Sequence, residues 1–110
     1  MLISSVSFGQ VINEIDADTP GTDMAEFIEL LWTPNTALDG LVVVLYNGSS
    51  DTSYAAYDLN GKTTDADGFF ILANSGLASG SDIVLSSLQN GADAVALYTG
   101  SDTDFPNGTA

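Results

Sequence analysis

The chain has 110 residues, of which 15 are acidic and a single one, Lys62, is basic, giving a formal net charge of -14 with no Cys, His or Arg. That balance excludes a direct nucleic-acid binder, which needs cations to neutralise phosphates. It also excludes disulfides, thiolate metal sites, Cys nucleophiles and His-based acid–base chemistry. One domain around one apolar core is what this length and 45 % apolar content support, and no run of 18 apolar residues is present to cross a membrane as a helix.

The first residues read MLISSVSFGQ. Ser7-Phe8-Gly9 fits the small-x-small pattern before a signal-peptidase cut, although the basic n-region is missing. Residues 1–9 are therefore expected to be a signal-peptide remnant and 10–110 the folded domain; the competing reading extends the first strand backwards. A signal remnant implies export, to an extracellular or cell-surface location.

Seven short apolar runs follow, separated by turn residues: Val11–Asp16, Glu26–Thr33, Leu41–Asn47, Ser53–Leu59, Phe69–Asn74, Asp82–Leu88 and Ala94–Thr99. They are rich in Val, Ile, Leu, Phe and Tyr and too short for helices. Pro34-Asn35, Asn47-Gly48, Asn60-Gly61, Asp67-Gly68, Ser75-Gly76 and Asn90-Gly91 mark the turns, because Gly and Asn tolerate the positive φ that tight turns require. Short strands at regular spacing predict an all-β fold, an antiparallel β-sandwich or a barrel.

Alternation assigns faces. In the second run Glu26, Ile28, Leu30 and Trp32 share one side, and Phe27, Glu29, Leu31 and Thr33 the other. Neither side is purely polar, which fits a strand between two covered surfaces or one with an interface on one side. Leu41 to Tyr46 is apolar on both sides, so that run belongs in the middle of a sheet. Ser53–Leu59 sets Tyr54, Ala56 and Asp58 against Ala55, Tyr57 and Leu59 and reads as an edge. The closing Phe105-Pro106-Asn107-Gly108 is turn-like, and a further closing strand beyond it is expected.

Carboxylates are the abundant reactive groups. Gly61-Lys62-Thr63 lacks the upstream glycine of a phosphate loop, where Ala56 stands. The densest polar stretch, Asn13 to Asp23, resembles the start of an EF-hand loop at Asp16, Asp18 and Gly21, but Pro20 and Phe27 occupy ligand positions. A looser Ca²⁺ site made from Asp16, Asp18, Asp23 and Glu26 is one reading of this stretch; a solvated turn between two strands is the other. The strong negative charge likewise reads either as a solubilising surface or as an attractor of cations and basic partners. Strand aromatics such as Trp32, Tyr54 and Tyr57 read as core packing, with sugar stacking as the other option.

Val11-Ile12-Asn13-Glu14-Ile15 followed by Ala25-Glu26-Phe27-Ile28-Glu29-Leu30 resembles the opening of bacterial lamin-tail domains. Leu38-Asp39-Gly40-Leu41, Gly68-Phe69-Phe70-Ile71-Leu72 and Leu88 to Tyr98 are similar to later motifs of that family, in the same order. The resemblance covers about Val11 to Tyr98 and implies an immunoglobulin-like β-sandwich in a secreted or cell-surface bacterial protein, with no catalytic residues of its own. It also implies one more strand after Ala94–Thr99, so that the chain would be a fragment.

Three functional expectations follow. The first is a non-catalytic accessory or adhesion module that binds neighbouring domains of its parent protein or a surface polymer. The second is the non-catalytic N-terminal domain of a secreted hydrolase, a nuclease or phosphatase. The third is a Ca²⁺-stabilised structural domain, compatible with either.

Overall fold

The computed structural model describes residues 11–17, 25–74, 82–86, 88–89 and 93–109. Its strands are β1 (Val11–Asp16), β2 (Phe27–Leu31), β3 (Leu41–Asn47), β4 (Thr52–Asp58), β5 (Phe69–Ala73), β6 (Ile83–Val84) and β7 (Ala94–Thr99), with a short 3-10 turn at Asp102–Asp104. One sheet has the order β1-β2-β5-β6, the other β4-β3-β7. Two such sheets around one core make a β-sandwich, one of the two all-β architectures that the strand spacing predicts and the one, in immunoglobulin-like form, that the family resemblance implies. The expected signal remnant, residues 1–9, lies outside the described residues.

All pairings are antiparallel except that of β5 with β6. The run Asp82–Leu88 contributes a strand of only two residues. Asp82 docks it beside β5: its N–H donates to the Ile71 carbonyl at 2.7 Å, and its Oδ2 accepts the Ile71 N–H at 2.8 Å. The chain then turns inward, because Leu85 and Leu88 are drawn into the core. Burial of these two side chains outweighs a longer edge ladder, each contributing about 1.5–3 kcal/mol.

The core lies between the sheets. Ile28 and Leu30 of β2 and Phe70 and Leu72 of β5 meet Leu41, Val43 and Leu45 of β3, with Leu38 and Leu59 closing one end. β3 is the middle strand of its sheet and is buried on both sides, as its unbroken apolar run predicts. Val42 and Val44 face away from the inter-sheet core yet are 0 % exposed. The segment after β7 crosses this outer side. It leaves at Gly100, whose N–H donates to the Gly40 carbonyl at 2.8 Å. It ends at Ser53, whose N–H donates to the Thr109 carbonyl at 2.8 Å and whose carbonyl accepts the Gly108 N–H at 2.7 Å. Gly40 precedes one end of β3, and Ser53 is paired with Tyr46 near the other, so the segment spans the sheet. Phe105 stacks on Tyr98 along the way, with ring centroids 4.8 Å apart and planes 6° apart.

The turns mostly follow their signals. Asn35, Gly61 and Gly68 have φ of 51°, 75° and 93°. At the β3–β4 turn the positive φ falls on Asp51 (53°), not on Gly48. The Asn47 side chain explains the shift: its Oδ1 accepts the Ser49 N–H at 2.9 Å, which winds the turn without a left-handed glycine.

A bulge in β4 changes one assigned face. Leu45 pairs with Ala55 but Tyr46 with Ser53, so Tyr54 is the extra residue. It packs against the core with Ala55 and Tyr57 rather than on the opposite side with Ala56 and Asp58.

Candidate functional site

Two places concentrate polar groups on a built framework. The first closes one end of the inter-sheet space. Glu26 continues the inner side of β2, two residues before Ile28, and is 1 % exposed. Its Oε1 accepts the Leu88 N–H at 3.2 Å and, at 3.4 Å, an Asn74 Nδ2 hydrogen. Its Oε2 is buried and has no hydrogen-bond partner. On the other sheet, Asp93 continues the inner side of β7, two residues before Val95. Asp93 Oδ1 accepts the Gly48 N–H at 3.2 Å, while Oδ2 is buried with no hydrogen-bond partner.

Tyr54, turned inward by the bulge, completes this end. Its hydroxyl accepts the Gln89 N–H at 3.2 Å, as the Tyr57 hydroxyl accepts that of Ser86. The two phenols thus tie the segment from Leu85 to Gln89, which belongs to the four-stranded side, to β4 of the other sheet. Burial pushes the Tyr54 hydroxyl above its usual pKa of 10.0; the Gln89 N–H opposes this, and the charges of Asp93 and Glu26 add to the rise. Ile15, Ala17, Tyr54, Leu88, Asp93 and Val95 line a cleft of about 110 Å³ here.

The second place is the outer side of the four-stranded sheet. Registers align its side chains in rows across the strands. Val11, Leu31 and Phe69 form one row; Glu14, Glu29 and Ile71 the next; Asp16, Phe27, Ala73 and Val84 the third. Val11 is 49 % and Val84 56 % exposed, and Phe27, Leu31, Phe69 and Ile71 are half-buried. An apolar row, Val11 with Leu31 and Phe69, and a mixed row in which Asp16 stands beside Phe27 and Val84 while Ala73 is fully buried, therefore flank a row in which two carboxylates face each other. Asn13 steadies the pair, donating from Nδ2 to Glu29 Oε1 at 2.8 Å.

Of the expected Ca²⁺ ligands, Asp16 and Glu26 are described and Asp18 and Asp23 lie outside the described residues. Asp16 pairs with Phe27 on the outer side of the sheet, whereas Glu26 points inward with Ile28, so the sheet separates the two. Among the described residues, no group of three or more His, Cys, Asp or Glu side chains is close enough to hold a metal ion. Alternation sets Glu26 on one side with Ile28, Leu30 and Trp32, and the structure turns that side to the core. Asp93 carried no such signal, since its partnership depends on how the two sheets superpose.

No family model, curated protein or solved structure matches this chain.

Proposed function

We propose that this chain is a non-catalytic interaction module that docks a protein partner on the outer side of its four-stranded sheet. The observation that carries this reading is the banded surface there: an apolar row through Val11, Leu31 and Phe69 and a mixed row of Asp16, Phe27 and Val84 on either side of Glu14 and Glu29. Like charges directly opposite on a sheet are destabilising. A partner that sets a Lys or Arg between Glu14 and Glu29 and aliphatic or aromatic side chains against the two rows removes that repulsion and covers the apolar area together. The partner surface is thus basic at its centre and apolar around it. The motif order shared with bacterial lamin-tail domains supports the same assignment and a secreted or cell-surface setting. There the partner is a neighbouring domain of the parent protein or a protein of the cell surface.

The test has two arms. The isolated chain is offered phosphomonoester, phosphodiester and glycoside substrates, and no turnover is expected; turnover abolished by Glu14→Gln or Glu26→Gln overturns the non-catalytic assignment. Immobilised wild-type chain and an Ile71→Lys variant are then compared for retention of surface proteins from the source cells. The reading expects a retained protein that the variant loses while its thermal melt stays cooperative. Equal retention by both chains contradicts it.

A further inference from the structure

Asn-Gly and Asp-Gly steps are where a chain can cyclise on itself. The glycine nitrogen attacks the side-chain carbonyl carbon of the residue before it, and a glycine, without a Cβ, leaves the backbone free to reach that geometry. Among the described residues, every such step has its glycine N–H held. Gly40 donates to Asn60 Oδ1 at 2.8 Å, and Gly61 donates to Asp39 Oδ1 at 2.7 Å. Gly68 donates to the Asp65 carbonyl at 3.1 Å and Gly108 to the Ser53 carbonyl at 2.7 Å. Gly48 donates to Asp93 Oδ1 at 3.2 Å, the longest of these bonds. An N–H committed to an acceptor is turned away from the attack. A carboxylate acceptor also opposes the amide anion that carries the attack out, because like charge disfavours the charged form.

Asn47 is also set apart on the side of the electrophile. Its Oδ1 accepts the Ser49 N–H at 2.9 Å and the Ser49 hydroxyl hydrogen at 2.6 Å. Donors placed on that oxygen stabilise the negative charge that develops there as Cγ is attacked. We propose that Asn47-Gly48 is a self-modification site, primed by Ser49 and held in check by Asp93, at which the folded chain converts its asparagine to aspartyl and isoaspartyl forms. When the contact between Gly48 and Asp93 opens, the Gly48 nitrogen loses its proton to a solvent base and bonds to Asn47 Cγ. The Cγ–Nδ2 bond breaks, and Nδ2 leaves as ammonia with a proton taken from water. The succinimide then takes up water, which opens either ring carbonyl. The balance is water in and ammonia out, with no change of oxidation state. Both products put a new carboxylate at the end of β3. The isoaspartyl form also reroutes the main chain through the former side chain, at the residue that pairs with Thr52 and winds the β3–β4 turn. The site lies in the three-stranded sheet and does not depend on the docking surface of the other sheet.

The experiment incubates the full chain in mildly alkaline buffer, folded and in parallel in urea, and follows conversion at Asn47, Asn60 and Asn107 by peptide mass mapping. In urea the three are expected to convert at similar rates. Folded wild type is expected to convert Asn47 first. Asp93→Ala is expected to speed conversion at Asn47 about two- to tenfold, the span of a single hydrogen bond, and to leave Asn60 and Asn107 unchanged. Ser49→Ala, in an exposed turn, is expected to slow Asn47 by about the same factor. A cooperative melt checks that each variant folds; if Asp93→Ala does not, the order in wild type and the effect of Ser49→Ala decide. The proposal is overturned if Asn47 converts no faster than Asn60 and Asn107 in folded wild type, or if folded Asp93→Ala leaves its rate unchanged. An equal rise at all three asparagines in Asp93→Ala, which marks general loosening, overturns it too, as does an unslowed Asn47 in Ser49→Ala.

Discussion

Gly68 offers the sharpest test of how the β2 and β5 ends are locked together. It has φ of +93°, and a Cβ built there would stand 2.1 Å from the Trp32 carbonyl oxygen and 3.2 Å from its carbon. Those atoms are backbone, so no side chain can swing away. The Trp32 N–H also donates to the Gly68 carbonyl at 2.9 Å, so any shift that admits a methyl group opens this clamp. An L-residue in the left-handed region costs about 1–2 kcal/mol. Loss of the hydrogen bond costs about 0.5–1.5 kcal/mol more, and displacement of the Trp32 carbonyl adds to both. Gly68→Ala is therefore expected to destabilise by roughly 2–4 kcal/mol, a large share of the 5–15 kcal/mol typical of a domain. In a calorimetric melt that is a fall in Tm on the order of 10–25 °C. Gly61→Ala is the matched control: φ is +75°, with nothing within 4 Å of the added Cβ, so it carries the backbone cost alone. A Gly68→Ala variant that melts together with Gly61→Ala would refute the reasoning.

Other outcomes follow from the core and the charges. Phe70→Ala empties a core position that is 1 % exposed and should cost about 3–5 kcal/mol, read as a lower urea midpoint at unchanged slope. Glu14→Gln relieves the cross-strand repulsion with Glu29 and should raise stability by about 0.2–1 kcal/mol, while weakening retention of a cationic partner. At the alkaline end, Tyr54 is held above its usual pKa first by burial, and Tyr46 first by its hydrogen bond to Tyr98. Both phenols keep their proton longer folded than unfolded, so their contribution is intact below pH 10 and is lost as pH rises through the folded values; Tyr54→Phe should flatten that limb in melts run across alkaline pH. At the acid end, Asp65 is held below its usual value first by the Phe69 N–H and next by that of Asp67. Its contribution is present above 3.8 and is lost as pH falls through the lower folded value, and Asp65→Ala should remove that acid limb.

Much of this architecture can be read from the sequence because alternation and turn chemistry act locally. The two-sided apolar run of β3 demands a central strand, and Val42 and Val44 are buried on the side away from the core. The bounds of β1, β3 and β7 coincide with their apolar runs. What fails to show depends on distant partners. The β4 bulge at Tyr54 arises from pairing with β3, and it turns an outward phenol inward. The shortening of β6 depends on room in the core for Leu85 and Leu88. Glu26 shares a side with Ile28, Leu30 and Trp32 in the sequence, but its burial beneath Leu88 needs the fold. On the outer side, the mixed polarity of Phe27, Glu29 and Leu31 fits either a strand covered on both sides or one with an interface on one side; the three rows emerge only with the registers of β1, β5 and β6.

The central claim is that the outer side of the four-stranded sheet is a docking surface, and site-specific photo-crosslinking tests it most directly. A photoreactive phenylalanine analogue is placed at Ile71, in the middle of the banded side, and separately at Ala66 in an exposed turn, in chain produced by its source cells. The account predicts one dominant protein adduct from position 71, lost at high salt and absent from position 66. No adduct at position 71, or the same adducts from both positions, would contradict it.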